Sequence, residues 1–169
     1  YTITRKGATV ADTLAYDLPR TVRESAIRAV MQQDFPDAYL LGEVWEDATT
    51  KFAYGQRRRY LLGNQLDSVM NYPFTAAILH FVRYGGGQAF LDAILSITEH
   101  YPPQVTAVLM NHIGTHDTVR AITRLGRGDI GRPENGRDRG ILTEEQYQKG
   151  VCLLKLASVL QFTLPGVPC

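Results

Sequence analysis

The sequence predicts an α/β fold built on a largely parallel sheet. Short β-like runs alternate with longer stretches of helical periodicity, the pattern of strands joined by crossover helices. With 169 residues the chain has the length of one domain, and it falls short of the roughly 250 residues of a closed eight-unit β/α barrel. Hydrophobic residues make up 44% and charged residues 21%, enough apolar content to drive collapse and to exclude a disordered chain.

The elements follow in order. Leu18, Val22, Ala26 and Val30 recur at helical spacing, with Ile27 and Met31 beside them. Pro19 is tolerated in a first turn, and Pro36 within Asp34-Phe35-Pro36-Asp37 ends the helix. Tyr39 to Trp45 is expected as a buried strand with a polar C-terminal end, and Leu66 to Asn71 as a second strand. Pro73 starts a helix to about Val82, which Gly85-Gly86-Gly87 breaks; a further helix carries Phe90, Ile94 and Ile97. After Pro102-Pro103, the apolar run Val105 to Met110 is expected as a third strand. Asn111 to Asp117 is polar, and Thr118 to Leu125 is expected as a short helix. Gly126 to Gly140, rich in Gly and Arg, is expected as a loop. Thr143-Glu144-Glu145-Gln146 is a capping box for a helix continued by Tyr147, Val151 and Leu154. The tail from Gln161 to Cys169 begins like a fourth strand. The chain contains no internal repeat and no interdomain linker.

Charge narrows the function classes. Eighteen Lys+Arg against seventeen Asp+Glu give a net charge of +1, so no global field points to nucleic acid or a membrane surface. Arg57-Arg58-Arg59 lacks aromatic stacking partners and is expected as a solvated face. Gly85-Gly86-Gly87 lacks the following Lys-Ser/Thr of a phosphate loop. No apolar run is long enough to span a bilayer, and Tyr1-Thr2-Ile3-Thr4-Arg5-Lys6 has no signal-peptide pattern. Cys152 and Cys169 cannot form a disulfide framework; Cys152 is expected as a buried, inert thiol within a helix.

Chemistry concentrates where two strands end. In Gly42-Glu43-Val44-Trp45-Glu46-Asp47 a carboxylic acid lies beside an indole. Apolar surroundings raise the pKa of such an acid, and Trp offers a flat face to a sugar ring. The alternative is an exposed acidic turn. In Asn111-His112-Ile113-Gly114-Thr115-His116-Asp117-Thr118, adjacent His and Asp can hydrogen-bond a polar substrate and set negative charge near a developing cation. The alternative is that Asp117 simply caps the next helix. His112, His116 and Asp117 are close in sequence, but no second carboxylate or Cys set matches zinc spacing.

Taken together, Leu41-Gly42-Glu43-Val44-Trp45-Glu46-Asp47 and Met110 to Thr118 resemble the third and fourth conserved segments of the α-amylase family of glycoside hydrolases. Those segments end the fifth and seventh strands of a (β/α)8 barrel. The stretch Tyr54 to Phe74 is similar to the neopullulanase, cyclomaltodextrinase and maltogenic amylase branch, and Leu164-Pro165-Gly166-Val167-Pro168-Cys169 resembles the start of the eighth strand. The resemblance covers roughly Leu18 to Cys169 and implies an incomplete fold: the C-terminal half of a (β/α)8 TIM barrel, residues 18–169, preceded by an atypical segment of residues 1–17 near strand four. It also implies that Glu43 is the general acid/base, that Asp117 is the carboxylate stabilising the transition state, and that His116 contacts the sugar. Trp45 and Tyr72 become candidate subsite-lining residues.

The upstream segment departs from the family. The Asp17-Leu18-Pro19 anchor is present, yet without gaps the nucleophile position falls on Thr13 and its paired Arg on Ala11. Asp12 reaches the position only with one residue inserted. Thr cannot replace a carboxylate that forms and releases a glycosyl ester, so no nucleophile is carried over and the isolated chain is expected to be inactive. The expected partner is an α-glucan oligosaccharide or polysaccharide, with neither nucleic acid nor membrane; the parent enzyme is compatible with a homodimer. The resemblance allows calcium, which many family members bind, as a cofactor, though no oxygen-rich loop here demands it. The branch resemblance points to the cytoplasm. A non-catalytic carbohydrate-binding or scaffold fragment is the rival expectation.

Overall fold

A computed structural model describes residues 4–5, 8–9, 20–53, 55–128 and 141–169. Strands β1 (Thr4–Arg5) and β2 (Ala8–Thr9) form an antiparallel pair. Helix α1 (Arg20–Asp34) leads to β3 (Leu41–Gly42), and a small antiparallel hairpin follows, β4 (Phe52–Ala53) with β5 (Gln56–Arg57). Then come β6 (Ser68–Val69), α2 (Tyr72–Tyr84), α3 (Gly87–His100), α4 (Pro103–Ala107), β7 (Met110–Asn111), α5 (Ala121–Arg127), α6 (Glu144–Thr163) and β8 (Val167–Pro168).

The parallel sheet runs β3–β6–β7–β8, in chain order. Leu41 pairs with Ser68 and Gly42 with Val69. A single parallel bridge between Met70 and Met110 joins this pair to the next, in which Met110 pairs with Val167 and Asn111 with Pro168. Among the described residues this sheet does not close on itself. The core is apolar and continuous: Val69 and Leu109 from the sheet region meet Phe74, Ile78 and Leu79 of α2, Ile94 and Ile97 of α3, Leu125 of α5 and Ala157 of α6.

Buried amides tie the sheet together at the ends of its strands. The side chains of Asn71 and Asn111 are both 1% exposed, and Asn71 Nδ2 donates to Asn111 Oδ1 at 2.8 Å. Asn111 Nδ2 donates in turn to the Pro165 carbonyl at 2.8 Å. Gln161 Nε2, from α6, donates to the carbonyls of Asn111 and Cys169 at 2.9 and 2.8 Å. Asn71 also caps α2, its Oδ1 accepting from the Phe74 N–H, with Pro73 in the first turn where a missing N–H costs nothing.

Several sequence expectations are corrected. Val105 is helical rather than extended: Pro102 and Pro103 open the short α4, with the Val105 and Thr106 N–H groups both donating to the Pro102 carbonyl. The strand that follows keeps only Met110 and Asn111. Gln161 to Thr163 end α6 instead of starting a strand; the helix persists until just before Pro165, which forbids α geometry in the residue before it. Cys152 is exposed on α6. Arg58 is buried, not solvated, and its guanidinium binds Glu24 of α1 at 2.7 Å, whereas Arg57 and Arg59 are exposed. The short helix after Asp117 begins only at Ala121.

Other expectations stand as read. Gly85 and Gly86 break the helices at φ 81° and 88°, a left-handed region open to glycine. Thr143 and Gln146 make both reciprocal bonds of the capping box. Helices α5 and α6 cross at Gly126 and Gly150, where an added Cβ would stand 2.3 Å from the Gln146 carbonyl oxygen and 2.6 Å from that of Ile122. The loop expected from Gly126 to Gly140 is corrected at its start, where Gly126 and Arg127 end α5; after Gly128 it lies outside the described residues, as does the atypical segment 1–17 apart from its two short strands.

One face of the sheet is left apolar. Tyr39, Leu41, Val108, Met110 and Val167 line a groove of about 370 Å³, with Tyr39 48% and Val167 51% exposed. Parallel strands are normally covered on both faces.

Two outcomes follow. Asn111→Leu removes the acceptor of the Asn71 amide and the donor to Pro165 together, and should cost about 2–4 kcal/mol in a urea unfolding titration; a loss under about 0.5 kcal/mol would show that the amides carry no such load. The apolar groove should make the purified chain self-associate in sedimentation velocity as its concentration rises; a monodisperse monomer with a sharp unfolding transition would contradict this.

Candidate active site

Glu43 follows the last residue of β3, Gly42, and the extended chain alternates from there. Val44 is 7% exposed and enters the core, while Glu43 and Trp45 on either side face outward. Glu43 Oε1 accepts two hydrogen bonds, from the Tyr72 hydroxyl at 2.9 Å and from the Trp45 indole Nε1 at 3.1 Å. Among the described residues its Oε2 carries no hydrogen bond. The Trp45 and Tyr72 rings stack with centroids 4.2 Å apart and planes 12° apart. Glu43, Trp45 and Tyr60 line a cavity of about 390 Å³, with Glu46 and Lys51 paired at its margin.

The loop after Glu43 is fastened to the end of α3. Asp47 Oδ1 accepts from the Thr49 N–H and hydroxyl at 2.8 and 2.6 Å, and Asp47 Oδ2 meets His100 Nδ1. Burial alone would raise the Asp47 carboxyl, but the Thr49 and His100 hydrogen bonds together hold it below the usual carboxylate range. The Ala48 N–H donates to the Tyr101 hydroxyl at 2.8 Å. Burial, helped by the charge of Asp47, pushes that phenol up to about 12.

The second cluster follows β7. Asn111 belongs to the amide chain, and His112 beside it is 3% exposed. The chain then turns on Thr115 and Thr118: the Thr115 N–H donates to Thr118 Oγ1 at 2.9 Å, and the Asp117 N–H to Thr115 Oγ1 at 3.3 Å. Asp117 caps no helix. The N-cap of α5 is Arg120, with no side-chain bond, so the capping alternative falls away. His116 is exposed, its Nε2 3.4 Å from Asp117 Oδ2.

Tyr72 joins the two clusters. It is 6% exposed, at the first turn of α2. Its hydroxyl lies 2.9 Å from Glu43 Oε1 and 3.4 Å from Thr115 Oγ1. Burial raises the phenol first, the Thr115 hydrogen bond opposes, and the bond to Glu43 with the charges of Glu43 and Asp117 raises it further. The hydroxyl therefore stays protonated and remains a donor.

The structure thus brings Glu43, Trp45 and Tyr72 into contact and sets Asp117 within electrostatic reach of the same hydroxyl. His116 stands outward beside Asp117. Sequence reasoning gave Thr115 and Thr75 no role and weighed His112 only as a metal ligand; Thr115 and His112 lie inside the second motif, whereas Thr75 carries no sequence signal. Thr13 and Asp12, the two nucleophile candidates, lie outside the described residues. Among the described residues, no three His, Cys, Asp or Glu side chains cluster closely enough to hold a metal, and no helix is long and apolar enough to cross a membrane.

Comparison with known proteins identifies the family. The family described as "Alpha amylase, catalytic domain" matches residues 6–169, beginning upstream of the Leu18 at which the sequence resemblance starts. A cyclomaltodextrinase from a Bacillus species is 33% identical over 144 residues, covering 84% of this chain and 20% of the relative. Neopullulanase 2 of Thermoactinomyces vulgaris is 38% identical over 93 residues, covering 54% of this chain and 14% of the relative. A solved cyclomaltodextrinase structure superposes with a TM-score of 0.65 at 31% identity, over 89% of this chain and 21% of that one. The chain therefore spans about a fifth of the length of these cyclomaltodextrinases. The match of the catalytic-domain family over residues 6–169, with these relatives, shows that the chain belongs to the alpha-amylase catalytic-domain family, as a glycoside hydrolase by resemblance to its cyclomaltodextrinase and neopullulanase branch.

Proposed function

We propose that the chain is the second half of the (β/α)8 barrel of a retaining α-glucan hydrolase that cleaves α-1,4 bonds in maltodextrins, cyclodextrins or pullulan. In this reading residues 18–169 carry strands five to eight, and residues 1–17 lie near strand four. The observation that carries it is the Tyr72 hydroxyl, which donates to Glu43 and lies 3.4 Å from Thr115 Oγ1 in the turn that carries Asp117, beyond the C-terminal ends of β3 and β7. In β/α barrels the reacting groups sit at that end of the strands.

In the proposed chemistry Glu43 protonates the glycosidic oxygen as it leaves. Both donors to Glu43 use Oε1, which leaves Oε2 as the oxygen that carries and returns the proton. The bond to the anomeric carbon breaks through an oxocarbenium-like transition state. Asp117 supplies negative charge beside that cation, and His116 binds a sugar hydroxyl near it. Trp45 gives a flat apolar face to a glucose ring. A nucleophilic carboxylate about 5 Å from the acid completes retaining cleavage, and the position matching it here is Thr13 or, with one residue inserted, Asp12. A hydroxyl there cannot form the readily hydrolysed glycosyl ester.

That mismatch supports a second reading, a carbohydrate-binding fragment without catalysis. Two measurements separate the readings. The purified chain should release no maltose from maltotriose; release that Glu43→Gln abolishes would overturn the inactivity and supply a nucleophile. Titration with maltoheptaose should change the fluorescence of Trp45, the only tryptophan, in a saturable way. No change at millimolar sugar would count against both the hydrolase and the binding fragment.

A further inference from the structure

His112 is the one buried ring nitrogen-bearing side chain beside the proposed acid that the chemistry above does not use. Its side chain is enclosed, and its Nε2 has no hydrogen-bond partner among the described residues. A position that needed only packing would be filled at lower cost by an apolar residue, because an unsatisfied buried polar atom is unfavourable.

The hydrogen bonds fix which nitrogen carries the proton. Thr75 Oγ1, on α2, has two backbone carbonyls as acceptors for its single hydrogen, those of His112 at 2.6 Å and Asn71 at 3.2 Å. It therefore faces His112 Nδ1, 3.2 Å away, as an acceptor, and Nδ1 must carry the hydrogen. Burial holds the imidazole in its neutral form, lowering its pKa against the opposing charge of Glu43. Nε2 is thus a bare lone pair. The bond to Thr75 locks the ring's rotation about its own axis, which an apolar ring in the same space would not do.

The locked ring meets Tyr72 edgewise, with centroids 4.6 Å apart and planes at 75°. Tyr72 also stacks on Trp45, itself 45% exposed. Its hydroxyl donates to Glu43 Oε1, the same oxygen that Trp45 Nε1 reaches. Thr75, His112, Tyr72 and Trp45 therefore form one column from the buried face of α2 to the acid.

We propose that His112, clamped by Thr75, is a positioning residue: it acts through Tyr72 to fix both donors on Glu43 and so the orientation of the acid. This rests on the reading of Glu43 as general acid but not on the identity of the glucan. The proposal concerns rigidity of the column, so the test reads Trp45 directly, without sugar. Thr75→Val keeps the side chain's shape and removes the hydroxyl, and with it both the acceptor for Nδ1–H and the donor to the His112 and Asn71 carbonyls. It should leave far-UV circular dichroism unchanged, raise the acrylamide quenching constant of Trp45 about twofold, and shift its emission maximum to the red. Thr75→Ser, which keeps the hydroxyl, should restore the wild-type values, and His112→Ala should exceed the effect of Thr75→Val.

A folded Thr75→Val variant with unchanged Trp45 emission and quenching would overturn the proposal. So would failure of Thr75→Ser to rescue. If His112→Ala does not fold, the Thr75 pair decides alone. The same samples titrated with maltoheptaose separate the two claims. A wild-type chain that ignores the sugar while Thr75→Val loosens Trp45 refutes the glucan site and upholds the positioning role. Sugar binding with an unmoved Trp45 in the variants does the reverse.

Discussion

The fold hangs on a short chain of buried amides. Parallel strands of two residues each offer few ladder bonds, and a lone bridge at Met70–Met110 connects the two halves of the sheet. The Asn71–Asn111 bond crosses that bridge, and Asn111 extends the tie to Pro165 and, through its carbonyl, to Gln161 and Cys169. The Asn71, Asn111 and Gln161 amides each form a bond across a boundary between elements. Replacing either partner alone strands the other in a dry environment, which is why such pairs specify register so sharply. The same residues set the functional geometry. Asn71 precedes Tyr72, and Asn111 precedes His112, so the amide pair fixes the starting points of both sides of the Glu43 column.

The candidate site is built on the boundary between rigid and exposed structure. Glu43 follows the end of β3, Asp117 lies in the turn between β7 and α5, the aromatic ring comes from the first turn of α2, and the acid's loop is pinned to the end of α3 through Asp47 and Tyr101. Precision of that kind follows when side chains sit where strands stop and polar backbone begins. It explains how an exposed carboxylate such as Glu43 can still be held by two donors.

Much of this was legible in the sequence, and the parts that were not share a cause. Helical periodicity and punctuation by Pro and Gly located α1, α2, α3 and α6, because those signals are local. The capping box at Thr143 was legible for the same reason. Val105 to Met110 looked like a strand because β-branched residues dominate it, yet Pro102 and Pro103 preset the helical turn of α4. Phe162 and Thr163 gave the tail a strand-like composition, and the preceding helix overrode it. Contacts between distant residues left no local trace. Arg58 finds Glu24 34 positions away, and Tyr72 finds Glu43 29 positions away, so neither the buried ion pair nor the donor to the acid could be read from spacing. The two motifs pointed to Glu43 and Asp117; of the two side chains that donate to Glu43, Trp45 lies in the first motif and Tyr72 comes from α2.

The span of the amide chain bears on how the protein reaches this structure. Its links join residues 40 and 50 positions apart, so each requires a long loop to close before its bond can form. The helices α2 and α3, by contrast, are near neighbours in sequence and can dock at once. Folding should therefore begin in helical hairpins and end in the sheet, with the amides among the last contacts made. High sequence separation slows that step and prolongs the exposure of unpaired strand edges. The polar tie that gives the native sheet its register is thus also the contact whose lateness leaves nascent chains open to pairing with one another.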